Sequence, residues 1–137
     1  MDTIVTTAKK RRNPYPESLD IERLGQGSGF ASFAYKTRPT DLNGVGAVHG
    51  GVLAGLMDLI LAMTAGSHED PAHRQFSITL SMNINFVAAA PPGRLVCSGK
   101  RIGGGRRNVF CEGRIVDEAG NLAATGSATF KLLPPGQ

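Results

Sequence analysis

The sequence contains no tryptophan, and aromatic residues make up only 6% of its 137 residues. A surface that stacks nucleobases needs aromatic rings, so this composition disfavours a nucleic-acid-binding function. Cysteine is also scarce: the two that occur, Cys97 and Cys111, lack the C-x-x-C spacing of metal and redox motifs. We therefore expect neither a disulfide framework nor a cysteine-bound metal, and a reducing compartment such as the cytoplasm.

Acidic residues are fewer than basic ones, which gives the chain a net charge of +4. Four of the basic residues form one run at residues 9–12 (KKRR), and without it the chain is about neutral. A nucleic-acid partner would therefore depend on one short segment. We interpret residues 1–17 as a flexible basic tail and residues 18–137 as a single domain. The N-terminal segment shows no apolar core of a secretory signal, in keeping with a cytoplasmic location.

The longest apolar stretch, residues 48–65, is predicted to be a helix. Leucine, isoleucine and methionine recur on one face at helical spacing, and the other faces are apolar or small as well. A helix that is apolar all round is expected to be buried on all sides. Its single charge, Asp58, disfavours a transmembrane span, because a carboxylate at mid-bilayer costs about 2.5–3.5 kcal/mol. We therefore expect no membrane partner.

The rest of the chain has the pattern of strands. Residues 76–86 alternate strictly between apolar and polar side chains, which predicts a strand with one face in the core. Other strands are predicted at residues 29–37, 94–102, 107–116 and 121–132, whereas residues 18–24 fit either a helical turn or an edge strand. The strands of the second half are predicted to form an antiparallel meander. A twisted antiparallel sheet that wraps one long central helix is the α+β architecture called the hotdog fold.

Two features of the predicted helix point to chemistry. Asp58 has no lysine or arginine within four residues, and a carboxylate in apolar surroundings is costly unless it is paired or has a function. His49-Gly50-Gly51 lies at the helix start, where unpaired N–H groups and the helix dipole attract negative charge. Such a group can polarise a carbonyl and hold an oxyanion. The alternative is a purely structural role, in which the two glycines only permit a tight turn into the helix.

The spacing of these residues suggests a dimer. Gly50 and Asp58 are about 12 Å apart along one helix, at about 1.5 Å per residue. A nucleophile or base and an oxyanion donor must both lie within about 3 Å of one reacting group. One helix cannot supply both groups to one carbonyl, but two antiparallel helices from two subunits can. If these residues act together, the active unit is a homodimer, and pairing of two dimers stays open.

At these residues the chain resembles a known family. Asn43-x-x-Gly46-x-x-His49-Gly50-Gly51, followed by Leu56 and Asp58, is similar to the signature of hotdog-fold thioesterases of the phenylacetyl-CoA thioesterase (PaaI-like) family. Residues 105–130 resemble the last two strands of that family, so the resemblance covers roughly residues 29–132. It implies a cytoplasmic enzyme, homodimeric or homotetrameric, that hydrolyses an acyl-CoA thioester without a metal or cofactor.

The resemblance also implies roles for single residues. Asp58 matches the acid that attacks the thioester or activates water, and the Gly50 N–H matches the donor that polarises the carbonyl. Asn43 matches an amide that orients water or substrate, and His49 matches a residue that packs and hydrogen-bonds around the site. Thr79 falls where some relatives place a residue that positions water.

Further residues are candidates for substrate binding. Gly51 leaves the backbone bare for a ligand oxygen. Arg106 and Arg107 suit the phosphates of coenzyme A by charge and by their place after a glycine loop, with a solvated hairpin end as the alternative. Two other functions fit the same fold. One is hydration or dehydration of an acyl thioester with His49 and Asp58 as an acid–base pair, and the other is a non-catalytic acyl-CoA-binding module.

Overall fold

The computed structural model describes residues 12–134, which form two α-helices and one six-stranded antiparallel sheet. The helices are α1 (Pro14–Leu19) and α2 (Gly50–Ala65). The strands are β1 (Glu22–Gly27), β2 (Phe30–Lys36), β3 (Ser77–Phe86), β4 (Arg94–Gly104), β5 (Asn108–Val116) and β6 (Leu122–Leu132). The curved sheet wraps α2, which confirms the predicted hotdog architecture.

The central helix α2 begins at Gly50, two residues later than predicted. His49 is its N-cap, with extended backbone and a side chain that accepts a hydrogen bond from Gly51 N–H. The buried residues of α2 form one side: Leu53, Leu56, Met57, Leu59, Ile60, Leu61, Thr64 and Ala65. Within one chain α2 is not buried on all sides as predicted, because the sheet covers only that side. The half-exposed residues of α2 are Gly50, Val52, Ala54, Gly55, Asp58, Ala62 and Met63, and Gly51 is exposed.

A row of glycines lets the helix lie close to the sheet. Gly113 pairs with Gly99 on one side and with Gly126 on the other. A Cβ atom on Gly113 would lie 2.9 Å from a methyl carbon of Leu61, and one on Gly126 would lie 2.8 Å from Cγ of Met57. Both distances are too short for a side chain. The core therefore depends on the absence of side chains along this row.

The order of the strands differs from the prediction. The sheet runs β1-β2-β4-β5-β6-β3, so the predicted meander is correct only for β4 to β6. β3 pairs with β6 instead of β4, because β2 occupies the other side of β4. The connection at residues 87–93 passes the start of α2, where buried Ala90 accepts a hydrogen bond from Val48 N–H. This crossing places β3 at one edge of the sheet.

β3 also departs from strict alternation. Its register with β6 shifts between Thr79 and Ser81, so Leu80 forms a bulge and the two faces of the strand exchange. Before the bulge the polar Ser77 and Thr79 face α2, and beyond it the apolar side chains do so. Ile78 and Leu80, predicted to lie in the core, are instead 50% and 56% exposed.

The helix α1 lies where the boundary between tail and domain was predicted. That boundary, after residue 17, falls inside α1, in which Pro16 is buried and Leu19 packs against the core. Lys9, Lys10 and Arg11 of the basic run lie outside the described residues. Neither helix within residues 12–134 combines the length and apolar character needed to cross a membrane.

Candidate active site

The N-terminus of α2 carries a hydrogen-bond donor without an acceptor. The N–H groups of Val52 and Leu53 donate to the carbonyl oxygen of His49 at 2.9 and 3.2 Å. Gly51 N–H donates to His49 Nδ1 at 2.8 Å. Among the described residues, Gly50 N–H donates a hydrogen bond to no acceptor. This group can therefore bind a ligand oxygen, and the helix dipole favours negative charge there.

The side chain of His49 serves first as a cap for the helix. Because Nδ1 accepts the bond from Gly51, a neutral His49 carries its proton on Nε2, which is left as a donor. A Cβ atom on Gly51 would lie 3.0 Å from Nδ1, so the glycine leaves room for the capping ring. The N–H of Gly51 is already engaged, and Gly50 is the residue whose N–H is available to a substrate.

Asn43 organises the loop that leads to α2. Its Oδ1 accepts hydrogen bonds from the N–H groups of Val45 at 3.1 Å and Ala47 at 3.0 Å. Its own N–H donates to the carbonyl oxygen of Ala47 at 2.8 Å. The amide nitrogen Nδ2 is thus the part of the exposed side chain that stays available to water or substrate.

A buried cluster around Asp41, missed by the sequence analysis, supports this loop. The carboxylate accepts hydrogen bonds from the Tyr35 hydroxyl and from Arg38 N–H, while the carbonyl oxygen of Asp41 accepts one from His49 N–H at 2.8 Å. Burial would raise the pKa of Asp41, but the hydrogen bonds from Tyr35 and Arg38 outweigh it and hold the pKa below its usual value. Pro39 two residues before an acid was the available sequence signal for a tight turn.

Asp58 lies half-buried beside the edge strand β3, at the margin of the side of α2 that the rest of the sheet leaves uncovered. The Thr79 hydroxyl donates to its Oδ1 at 2.6 Å. Among the described residues, no lysine or arginine pairs with Asp58, and its second oxygen has no protein donor. The carboxylate is therefore oriented by one bond and free at the other oxygen. The bulge at Leu80 is what turns Thr79 towards it.

The candidate residues thus form two groups. Thr79 lies with Asp58, and His49 and Gly51 lie with Gly50. The two groups are separated by eight residues of α2, which corresponds to about 12 Å. A single chain does not bring them to one reacting atom.

Arg106 and Arg107 lie away from both groups, in the turn between β4 and β5. They line a polar cleft of about 440 Å³ together with Arg101 and Ser67. Arg101 donates to the carbonyl oxygens of Ala65 at 2.9 Å and of Ser67 at 3.4 Å, at the C-terminal end of α2. The cleft is therefore basic and opens beside the end of the helix opposite to Gly50.

Comparisons with known proteins agree with this architecture. Residues 45–124, more than half of the chain, match the family model of the thioesterase superfamily. A protein of Archaeoglobus fulgidus to which esterase activity has been attributed is 25% identical over 114 residues, which cover 82% of this chain and 71% of that protein.

Solved structures share the fold of this chain. A conserved protein of Pseudomonas aeruginosa superimposes with a TM-score of 0.78 and 27% identity, covering 89% of this chain and 95% of that one. The PaaI protein from the phenylacetic acid degradation operon of Escherichia coli gives a TM-score of 0.80 and 18% identity, with coverage of 90% and 87%. The second likeness, at this low identity, shows the fold alone.

Proposed function

This chain belongs to the thioesterase superfamily, and we propose that it hydrolyses an acyl-coenzyme A in a site built by two subunits. The family gives the class of reaction, hydrolysis of a thioester. The observation that carries the finer proposal is the free N–H of Gly50 on the same helix as Asp58. A donor for the carbonyl oxygen and a carboxylate for attack or proton removal are the groups that this hydrolysis uses.

In the proposed reaction, the thioester oxygen accepts a hydrogen bond from Gly50 N–H and becomes an oxyanion when the carbonyl carbon is attacked. Asp58 either attacks this carbon, forming an anhydride that water then cleaves, or removes a proton from the attacking water. In both routes the oxyanion collapses, the C–S bond breaks and the acyl group leaves as the acid. The leaving thiolate takes a proton: from protonated Asp58 in the general-base route, and from solvent in the anhydride route, where cleavage of the anhydride by water returns it. Thr79 keeps the carboxylate oriented, and Asn43 orients water or substrate.

The free edge of β3 supports a homodimer. Among the described strands, β3 pairs only with β6, so its other edge has unpaired backbone groups. This strand also exposes the large apolar side chains Ile78, Leu80 and Phe86. An exposed apolar edge strand is a template for pairing with another strand. We infer that the β3 strands of two copies pair with each other.

Such pairing would complete two sites. Thr79 near the start of β3 lies beside Asp58, and the ring of Phe86 at its end lies 3.6 Å from the position of a Cβ on Gly50. Antiparallel pairing about the middle of β3 brings the start of one strand beside the end of the other. Each Asp58 would then lie near the Gly50 of the other subunit.

The basic cleft supports coenzyme A as the carrier of the acyl group. Ser67 lines this cleft and lies nine residues beyond Asp58. At the helical rise of about 1.5 Å per residue, nine residues correspond to about 14 Å between Asp58 and the cleft. This length is comparable with that of a pantetheine arm. Arg106 and Arg107 would bind the phosphates with charge-assisted hydrogen bonds, while His49 and Gly51 shape the helix start that receives the carbonyl.

The test is thiol release from a panel of short, medium, long and aryl acyl-CoAs. Asp58→Asn removes the charge with little change of shape and should lower kcat by about 10²–10⁴-fold. Wild-type turnover by Asp58→Asn would overturn the mechanism. Loss of enoyl absorbance without thiol release would point instead to a hydratase, and tight binding without either reaction would point to a binding module.

A second pair of variants tests the donor at Gly50. Gly50→Pro removes the N–H, and proline suits the first position of a helix. The extended backbone of His49, with ψ 138°, accepts a following proline. Gly50→Ala is the matched control, because it keeps the N–H and its Cβ makes an ordinary 3.6 Å contact with Phe86. We expect Gly50→Pro to lose about 10²-fold or more in kcat and Gly50→Ala to stay far more active.

A further inference from the structure

Tyr15 reaches from α1 onto the surface of α2. Gly55 has no side chain, and the Tyr15 hydroxyl occupies the place that a Cβ on Gly55 would take. The ring carbon Cζ lies 3.5 Å from the same position. Pro16 is buried and Leu19 packs against the core, so α1 is anchored to the domain. The ring of Tyr15 therefore stands on the helix at Gly55.

This position is next to Asp58. Gly55 precedes Asp58 by three residues, so the two share one face of α2, with their Cβ positions about 5–6 Å apart. Apart from β3, which reaches Asp58 through Thr79, the sheet leaves this face uncovered. Its other residues near Asp58, Ala54 and Ala62, are small. These small side chains leave space for a ligand over this face. Towards the N-terminus of α2, the Tyr15 ring over Gly55 ends this space.

The direction of the substrate follows from the basic cleft. The cleft with Arg106 and Arg107 lies beside the C-terminal end of α2, whereas Tyr15 lies on the N-terminal side of Asp58. If the coenzyme A phosphates bind in the cleft and the thioester lies at Asp58, the acyl group extends from the thioester towards Tyr15.

We propose that Tyr15 closes the acyl pocket and limits the substrate to acyl groups that end within about one helical turn, or 5.4 Å, of the thioester. Short chains and single rings fit this length, and long chains collide with the ring. The hydroxyl of Tyr15 has no hydrogen-bond partner among the described residues, so contact with Gly55 holds the ring and the aromatic ring itself is the barrier. This inference rests on the proposed function, because it adds a residue that determines specificity to the same site.

The test compares kcat/KM for straight-chain acyl-CoAs from acetyl to lauroyl. Tyr15→Ala removes the barrier, so the ratio of kcat/KM for long over short chains should rise about 10-fold or more, the lower end of the discrimination that a pocket achieves for one methylene. Tyr15→Phe keeps the ring and should retain the wild-type profile. Gly55→Ala places a methyl group where the hydroxyl lies, so it should displace the ring and change the profile as well.

Leu24→Ala is the matched control, because Leu24 is 44% exposed and Tyr15 52% exposed, and Leu24 lies on β1 at the other edge of the sheet from β3. We expect it to leave the length profile unchanged. An unchanged profile in Tyr15→Ala, or an equal loss for every chain length, would overturn this role of Tyr15 while the proposed hydrolysis stands. A wild-type chain that releases thiol from no acyl-CoA would overturn both.

Discussion

Asp41 is a buried carboxylate that supports the start of α2 and is not one of the proposed reacting groups, Asp58 and Gly50 N–H. Its side chain accepts a hydrogen bond from the Tyr35 hydroxyl, and its backbone carbonyl oxygen accepts one from His49 N–H. Tyr35→Phe removes one donor and leaves a buried carboxylate oxygen less satisfied. We expect the free energy of unfolding, measured by urea denaturation at neutral pH, to fall by about 1–3 kcal/mol. A variant as stable as the wild type would show that the hydroxyl does not stabilise the loop.

The effect of pH on this cluster follows from the two pKa shifts. The folded pKa of Asp41 lies below its ordinary value of 3.8, so its contribution to stability is complete above that pH and is lost as the pH falls through the folded value. Burial and the bond to Asp41 raise the pKa of Tyr35 from 10.0 to about 12. The contribution of Tyr35 to the free energy of unfolding is complete below about pH 10 and is lost as the pH rises through the pKa of the folded state. Tyr35→Phe should therefore lack this alkaline loss.

Single residues differ in how far the sequence could predict them. Asp58 stands out because it is the single acid in an apolar stretch with helical spacing. Gly50 stands out because two residues without side chains lie at the start of that predicted helix. The contact of Thr79 with Asp58 does not follow from the alternation of residues 76–86, which places Thr79 on the face away from the core. The bulge at Leu80 reverses that face, and no residue of the strand signals it.

At the scale of elements, the row of glycines determines how closely α2 approaches the sheet. Gly113→Ala would place a methyl group 2.9 Å from both Leu61 and the carbonyl oxygen of Ser98, and a backbone atom gives way less easily than a side chain. We expect a loss of about 1–3 kcal/mol in the free energy of unfolding. Gly25→Ala is the control, since nothing lies within 4 Å of its added Cβ. Equal stability of the two variants would contradict this role of the row.

The positions of five strands could be predicted because turn sequences separate them, and β2 to β6 lie within two residues of the predicted bounds. Their order could not be predicted. Local patterns favour pairing between neighbours along the chain, whereas β3 reaches β6 through a connection that crosses the start of α2. Residues 18–24 fitted either a helical turn or an edge strand, and they hold the end of α1 and the start of β1. The start of α1 lies in residues that were predicted to belong to the flexible tail.

At the scale of the whole molecule, one chain carries half of each proposed site. Asp58 and Thr79 lie together near the start of β3, and Gly50 lies near its end. The free apolar edge of β3 is the surface that a second copy would cover, and the half-exposed side of α2 beside it would line the site between the two subunits. In the proposed dimer, a two-fold axis at the middle of β3 would make two equivalent sites, each with groups from both subunits.

This arrangement predicts that two inactive variants restore activity together. In a dimer of one Asp58→Asn chain and one Gly50→Pro chain, one site combines the intact Asp58 with the intact Gly50, and the other site has neither. Random pairing makes half of the dimers mixed with one of two sites intact, so thiol release should return to about a quarter of the wild-type rate. Refolding Asp58→Asn with the double variant Asp58→Asn/Gly50→Pro is the control, since no Asp58 is then present. If both groups acted within one chain, the mixture of single variants would stay as inactive as the control.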